Sequence, residues 1–411
     1  MLQAGVDVET IGCSPLSAAV WADGILLDFL LLFCTLVFQS ASVPGLDQQR
    51  IPCLQQYSTV AGNATRTALI MKSNLTILIL FLLSLQVSIA QSKQHLPIID
   101  MHLHSMGINN NGPAPVNVGA PFRNFGSHDP VKPYPLDFMR MMKTDSLFEY
   151  TITSPVTDDD LMNESILILK KRNIYAIASG EITRVRKWKS SEPKRIIPAV
   201  MFSFGDTLSQ KLSVDSLHSL FQSKEFKVFG EIVVQYEGYS VSDPAFEPFL
   251  KMAEELDVPV GIHIGLGPPG VGSLPPGSFK ASLCSALNLE EALKRHPKLR
   301  VYVMHAGWPM LDDMLALLYV YPQVYVDVAV IDYILPRKEF YHYLQRLVEA
   351  GFGKRIMFGS DQMVWPKAIE IAIKNIEAAT FLSQEQKRDI FFNNAARFLR
   401  LSEKEINAMK K

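Results

Sequence analysis

From residue 96 onward, short apolar runs alternate with stretches whose apolar residues recur at three- and four-residue spacing. Pro97–His102, Tyr175–Ala178, Ile196–Met201, Lys227–Val233, Pro259–Ile264, Leu299–His305, Gln323–Val328 and Arg355–Ser360 read as strands, and so does Phe148–Thr153. Several are continuously apolar, as expected of parallel strands covered on both faces. Ala245–Leu256, Leu289–Arg295, Leu311–Tyr319 and Phe340–Glu349 carry the i, i+3, i+4 pattern of amphipathic helices. This alternation predicts an α/β fold, a (β/α)8 TIM barrel over residues 96–401. Ser105–Lys132, rich in Gly, Pro and Asn, is expected to be a long loop after strand 1 and a candidate lid. Ser383–Leu401 is expected to form C-terminal helices under or beside the barrel.

The pattern before residue 96 is of another kind. In Met71–Gln91, Lys72 precedes an apolar run, Leu75–Leu85, and then Ser88-Ile89-Ala90. These are the three parts of a secretory signal peptide, and the run is short for a transmembrane helix. Residues 71–90 are therefore expected to export the chain to the periplasm or the medium. Translation is expected to begin at Met71, with residues 1–70 a mis-assigned upstream extension. The alternative is a genuine extension with a membrane-seeking helix at 25–38.

Composition changes this picture little. Apolar residues make up 48% and charged residues 20% of the chain, an ordinary globular balance. The formal net charge of -1 gives no reason to expect nucleic acid as a partner. The basic run Arg184–Arg195 reads as a solvated helix and loop. Cys13, Cys34 and Cys53 lie upstream and no C-x-x-C occurs, which leaves Cys284 as a small core residue. Gly265-x-Gly267-x-x-Gly270 follows a strand, but Pro268 and Pro269 remove the N–H donors that a pyrophosphate needs. That loop is expected to shape a pocket instead. Asp158-Asp159-Asp160 reads as a helix start.

Chemistry concentrates at strand ends. His102 and His104 are two apart on the first strand and so share a face. His263, His305 and Asp361 end later strands, and Glu231 lies near the end of another. Barrel enzymes place their catalytic groups at this end, and converging imidazoles and carboxylates suit a metal ion. Asp327, inside a strand pattern, is expected either to support these groups from behind or to pair in the core rather than to ligate directly. Tyr236, Tyr239 and Trp308 follow strand ends, either lining the pocket or capping the rim.

H-x-H, I-H-x-G, H-A-G-W, F-G-S-D and N-N-A-A-R-F-L together resemble the amidohydrolase superfamily, in its amidohydrolase 2 branch, over residues 96–401. The resemblance implies a divalent metal, commonly zinc, held by His102, His104, His263 and Asp361, with His305 facing the substrate. Glu231 stands where some relatives bridge two metals, so one ion or two remains open. Such an ion lowers the pKa of bound water to about 7. Asp361 then serves as general base, while His305 and the metal stabilise the oxyanion. The leading expectation is a hydrolase acting on a small-molecule amide, ester or lactone. A nonoxidative decarboxylase of an aromatic or muconate-type acid, with Arg123 holding the carboxylate, is the alternative. A non-catalytic metal-binding barrel is the third. Stable membrane insertion of the mature chain is not expected, and its oligomeric state is open.

Overall fold

The computed structural model describes residues 96–123, 127–135, 147–205, 212–275 and 277–411. The expected leader at 71–90 and the extension at 1–70 lie outside these residues. The strands are β1 (Ile98–His104), β2 (Asn117–Phe122), β3 (Phe148–Thr153), β4 (Ile174–Ser179) and β5 (Ile196–Phe202), then β6 (Val228–Ile232), β7 (Val260–His263), β8 (Val301–Met304), β9 (Val324–Asp327) and β10 (Ile356–Met357). Eight of them form one parallel sheet in the order β1-β4-β5-β6-β7-β8-β9-β10. The seam between its first and last strands is stitched by Met101 N–H to Phe358 O (2.9 Å) and Ser360 N–H to His102 O (3.2 Å). The sheet thereby curls into the expected TIM barrel.

The region after β1 departs from expectation. Phe148–Thr153 is a strand, but it stands outside the barrel, antiparallel to β2. β2 itself lies in the segment expected to be loop. Its sequence, NVGAPF, carries Gly and Pro, which ordinarily argue against a strand, and a two-stranded edge tolerates both. The burial of β3 alternates along the strand, as befits a sheet covered on one face.

Helices fill the intervals. Thr157 caps the helix Asp158–Lys171 by accepting the Asp160 N–H, with three aspartates in the first turn and Lys170 and Lys171 in the last. A cap of this kind is worth about 1 kcal/mol. The basic run lies in and just after Ile182–Ser191, where Arg184, Arg186 and Lys187 pair with Asp158, Glu225 and Asp159. Those cations are neutralised within the fold. No described helix is long and apolar enough to cross a membrane.

Two apolar layers result. One lies between strands and helices, with Val200, Phe229, Val303 and Phe358 among its members. The other fills the barrel interior with Ile99, Met101, Ile177, Ala199, Val228, Tyr302, Met304 and Met357. The C-terminal tail closes that interior from below. Gln384–Arg388 and Asn394–Phe398 are joined by a widened turn, and Phe392, Ala395, Ala396 and Phe398 pack onto the interior layer. A third helix, Glu403–Met409, follows beyond the expected C-terminal helices.

Candidate metal and active site

The interior is apolar at its floor and polar at its mouth. Ile99 and Met101 of β1 face inward, yet so do His102 and His104, which have the opposite parity. A register shift between Asp100 and Leu103 reconciles the two sets. β6 repeats the device. Val228 belongs to the interior layer, Glu231 to the mouth, and the register against β7 shifts between Phe229 and Ile232. In β8 the inward residues are Tyr302 and Met304, and His305 is redirected by a left-handed backbone (φ 60°). Bulges re-aim side chains in this way.

Among the described residues three groups of three could hold an ion: His102, His104 and Asp361; Glu231, His263 and His305; and, linking them, His102, His305 and Asp327. All seven residues are buried. In the first group, His102 Nε2 and His104 Nε2 face each other at 3.1 Å. Asp361 Oδ1 lies 3.0 Å from His104 Nε2 and 3.8 Å from His102 Nε2. Glu231 joins the groups, 3.6 Å from His102 Nε2, 3.4 Å from His104 Nε2, and 3.7 Å from both His263 Nε2 and His305 Nε2. His263 thus reaches the H-x-H pair by way of Glu231.

Support comes from behind each ring. Asp327 Oδ1 accepts the N–H groups of His305 (2.9 Å) and Ala329 (3.1 Å), while Oδ2 lies 3.4 Å from His102 Nδ1. His305 Nδ1 meets Ala329 O at 2.9 Å, which fixes it as the protonated nitrogen and leaves Nε2 facing the site. His104 Nδ1 meets Ser179 Oγ at 3.1 Å. Asp100 Oδ1 accepts from His102 N–H (3.0 Å) and Ser360 N–H (2.9 Å), tying β1 to the strand that delivers Asp361. Tyr333 OH donates to Asp361 O at 3.0 Å. Gln235 contacts His263 Nδ1 through its amide, and Gln362 donates to His104 O. Gln235, Gln362 and Ser179 carried no signal in the sequence, because a polar residue past a strand end is unremarkable until its partner is known.

The electrostatics follow from crowding three carboxylates together. Burial opposes a charged imidazole, but Asp361, Glu231 and Asp327 outweigh it and hold His102 well above the ordinary range. Burial also opposes ionised Glu231 and Asp361, yet the surrounding imidazoles hold both below the usual carboxylate range. Burial and the neighbouring His305 press His263 down to about 3. Asp100, desolvated behind the site, is pushed up to about 7. The pocket calls for positive charge.

Whether a cation fits can be judged from one atom. Asp361 Oδ1 is buried and forms no hydrogen bond, although two imidazole nitrogens stand close to it. An orphaned carboxylate oxygen is costly to bury, and a divalent ion among these donors would satisfy it. The donor set fits a metal.

Other expected residues part company. Tyr236 is at the site, its hydroxyl 3.3 Å from His263 Nε2. Tyr239 instead meets Phe204 edge-on, and Trp308 Nε1 donates to Glu339 (3.1 Å). Arg123 is exposed at the end of β2. Cys284 is buried, its thiol donating to Gly265 O and pushed up by burial to about 12. The glycines of the loop after β7 admit rings. A Cβ on Gly265 would strike His305, on Gly267 Tyr236, and on Gly270 Tyr134.

The model of the amidohydrolase family matches residues 99–401, from the start of β1 to just past the helix Asn394–Phe398. The chain belongs to the amidohydrolase family. It is an enzyme of that family with a metal-competent His/Asp/Glu cluster at its barrel mouth. No curated protein sequence matches this amidohydrolase. Among solved structures it is similar to an uncharacterised TIM-barrel protein from Bordetella bronchiseptica, at 15% identity over 76% of this chain and 100% of that one, with a TM-score of 0.49. A probable 2-pyrone-4,6-dicarboxylic acid hydrolase from Acinetobacter baumannii matches at 15% identity over 74% and 100% of the two chains, with a TM-score of 0.46. A dihydroxybenzoic acid decarboxylase from a Polaromonas species, solved with bound manganese, matches at 12% identity over 75% and 99%, with a TM-score of 0.45.

Proposed function

We propose that this amidohydrolase is a metal-dependent hydrolase that adds water to a carbonyl carbon of a small-molecule amide, ester or lactone. The observation that carries its metal dependence is the orphaned Asp361 Oδ1, buried against two converging imidazoles. His102, His104, His263 and Asp361 would hold the ion, zinc by preference for this N/O donor set, with Glu231 placed to share in one ion or join two. When bound, that ion supplies Lewis acidity toward water and carbonyl oxygen.

The residues themselves divide the remaining work. Asp361 accepts the proton of the attacking water and returns it to the leaving group. Burial opposes a charged His305 ring, but the Glu231 carboxylate outweighs it and favours a proton on Nε2, which donates to the substrate oxygen while Nδ1–H stays on the Ala329 carbonyl. Asp327 fixes the rings of His102 and His305 in productive orientations. Export of the enzyme by residues 71–90 belongs to the same proposal, and N-terminal sequencing of the native protein tests it. A mature chain beginning near Gln91 is expected; one retaining residues before Met71 would refute it.

The reaction is tested by incubating metal-loaded protein with a panel of aryl esters, lactones and aromatic acids, following acid release and carbon dioxide together. Ester or lactone hydrolysis without carbon dioxide is expected. Carbon dioxide release from an aromatic acid would replace the reading with the decarboxylase.

A further inference from the structure

Directly after β6, the turn Val234–Glu237 carries three consecutive side chains that are each held in place. Gln235 contacts His263 Nδ1. Glu237 accepts the N–H groups of Phe204 (2.7 Å) and Gly205 (2.6 Å), pinning the turn to the end of β5. Between them Tyr236 turns its ring toward the mouth, 5.0 Å from the His263 ring and 5.5 Å from Phe279. Its hydroxyl lies 3.3 Å from His263 Nε2, the ring nitrogen that faces Glu231.

The loop after β7 is shaped around this hydroxyl. Gly267 has φ +69°, and a Cβ there would come within 2.6 Å of the Tyr236 hydroxyl oxygen. The Gly-rich sequence rejected above as a nucleotide loop therefore has a physical use: backbone passes where a side chain would displace the phenol. A nitrogen engaged as a ligand cannot also accept the phenol proton. With His263 Nε2 so engaged, the Tyr236 O–H is left facing the mouth, rigidly placed and half-buried.

We propose that Tyr236 is a catalytic residue whose hydroxyl donates a hydrogen bond to the substrate oxygen that gains charge. The assignment rests on the hydrolase reading. Water oxygen bonds to the carbonyl carbon, the π pair moves onto the carbonyl oxygen, and Asp361 takes the water proton. Tyr236 donates to that oxyanion without losing its proton. Collapse re-forms the C=O bond and expels the leaving group, which takes the proton from Asp361. A preorganised donor aimed at developing charge is among the largest single contributions to catalysis.

The test compares wild type, Tyr236→Phe and Gly267→Ala, all zinc-loaded. Metal content, calorimetric affinity for acetohydroxamic acid and turnover of 4-nitrophenyl acetate are read together. Tyr236→Phe is expected to keep its zinc, bind the hydroxamate about tenfold more weakly, and lose about 100-fold in kcat with a small change in KM. Gly267→Ala is expected to move both readouts the same way by displacing the phenol. Unchanged hydroxamate affinity and kcat in Tyr236→Phe would overturn the assignment, and so would loss of zinc from that variant, which would make the tyrosine structural. Wild type that takes up no zinc, or takes it up and hydrolyses nothing, would fail the hydrolase reading first and Tyr236 with it.

Discussion

The floor and the mouth of this barrel are built on the same strands and obey opposite rules. At the floor, Ile99, Met101, Val228, Tyr302 and Met357 meet Phe392 and Phe398 of the tail, and regular alternation suffices. At the mouth, the barrel strands carry seven buried titratable side chains, and on β1 and β6 alternation is broken to deliver them. The floor gains stability from removing apolar area from water, at roughly 25 cal/mol per Å². The mouth spends stability on desolvated charge, and leaves orphaned oxygens on Asp100, Asp327 and Asp361. Function sits where the packing rules are violated.

That division can be broken from either side. The largest effect is expected from Asp361→Asn, which removes the proposed general base. Turnover should fall about 10³-fold while the thermal midpoint stays near wild type, since a mouth residue contributes chemistry and little packing. Phe398→Ala is the mirror experiment. Its ring lies 5.4 Å from Tyr302 and 5.0 Å from Tyr325, and its removal should cost about 3–5 kcal/mol by denaturant titration with kcat little changed.

Two smaller changes probe the border between the regions. Asp327→Asn should weaken metal affinity about 10- to 100-fold, by loosening His102 and His305, without unfolding the barrel. Asp332, just beyond β9, is buried with both carboxyl oxygens unpartnered, and burial together with Asp100, Asp327 and Asp361 holds it well above the ordinary carboxyl range. An acid whose folded pKa is raised is at no disadvantage below its unfolded value, near 4, and weakens the fold increasingly above it. Asp332→Asn should therefore stabilise by about 1–2 kcal/mol at pH 8 and by progressively less toward pH 4, as melting curves across that range would show.

What was legible in the chain follows the same division. The continuously apolar runs announced parallel strands, and their His and Asp endings announced the mouth, because those signals are local. H-x-H on one strand is legible by simple alternation. The bulge that lets Met101 and His102 both face inward leaves no local mark, since it depends on pairing with β4. Phe148–Thr153 alternates where the barrel strands run apolar, a difference that separates the antiparallel pair from the barrel. Gln235 and Asp332 were invisible for another reason. Their importance lies in what they touch, or fail to touch, across the fold.

The central claim is that the mouth is a metal-dependent hydrolytic site. Elemental analysis of the purified chain, paired with ester and lactone turnover before and after chelation, tests it most directly. At least one divalent ion per chain is expected, with turnover abolished by chelation and restored by zinc. A chain that binds no divalent ion and whose turnover is untouched by chelation would contradict the account.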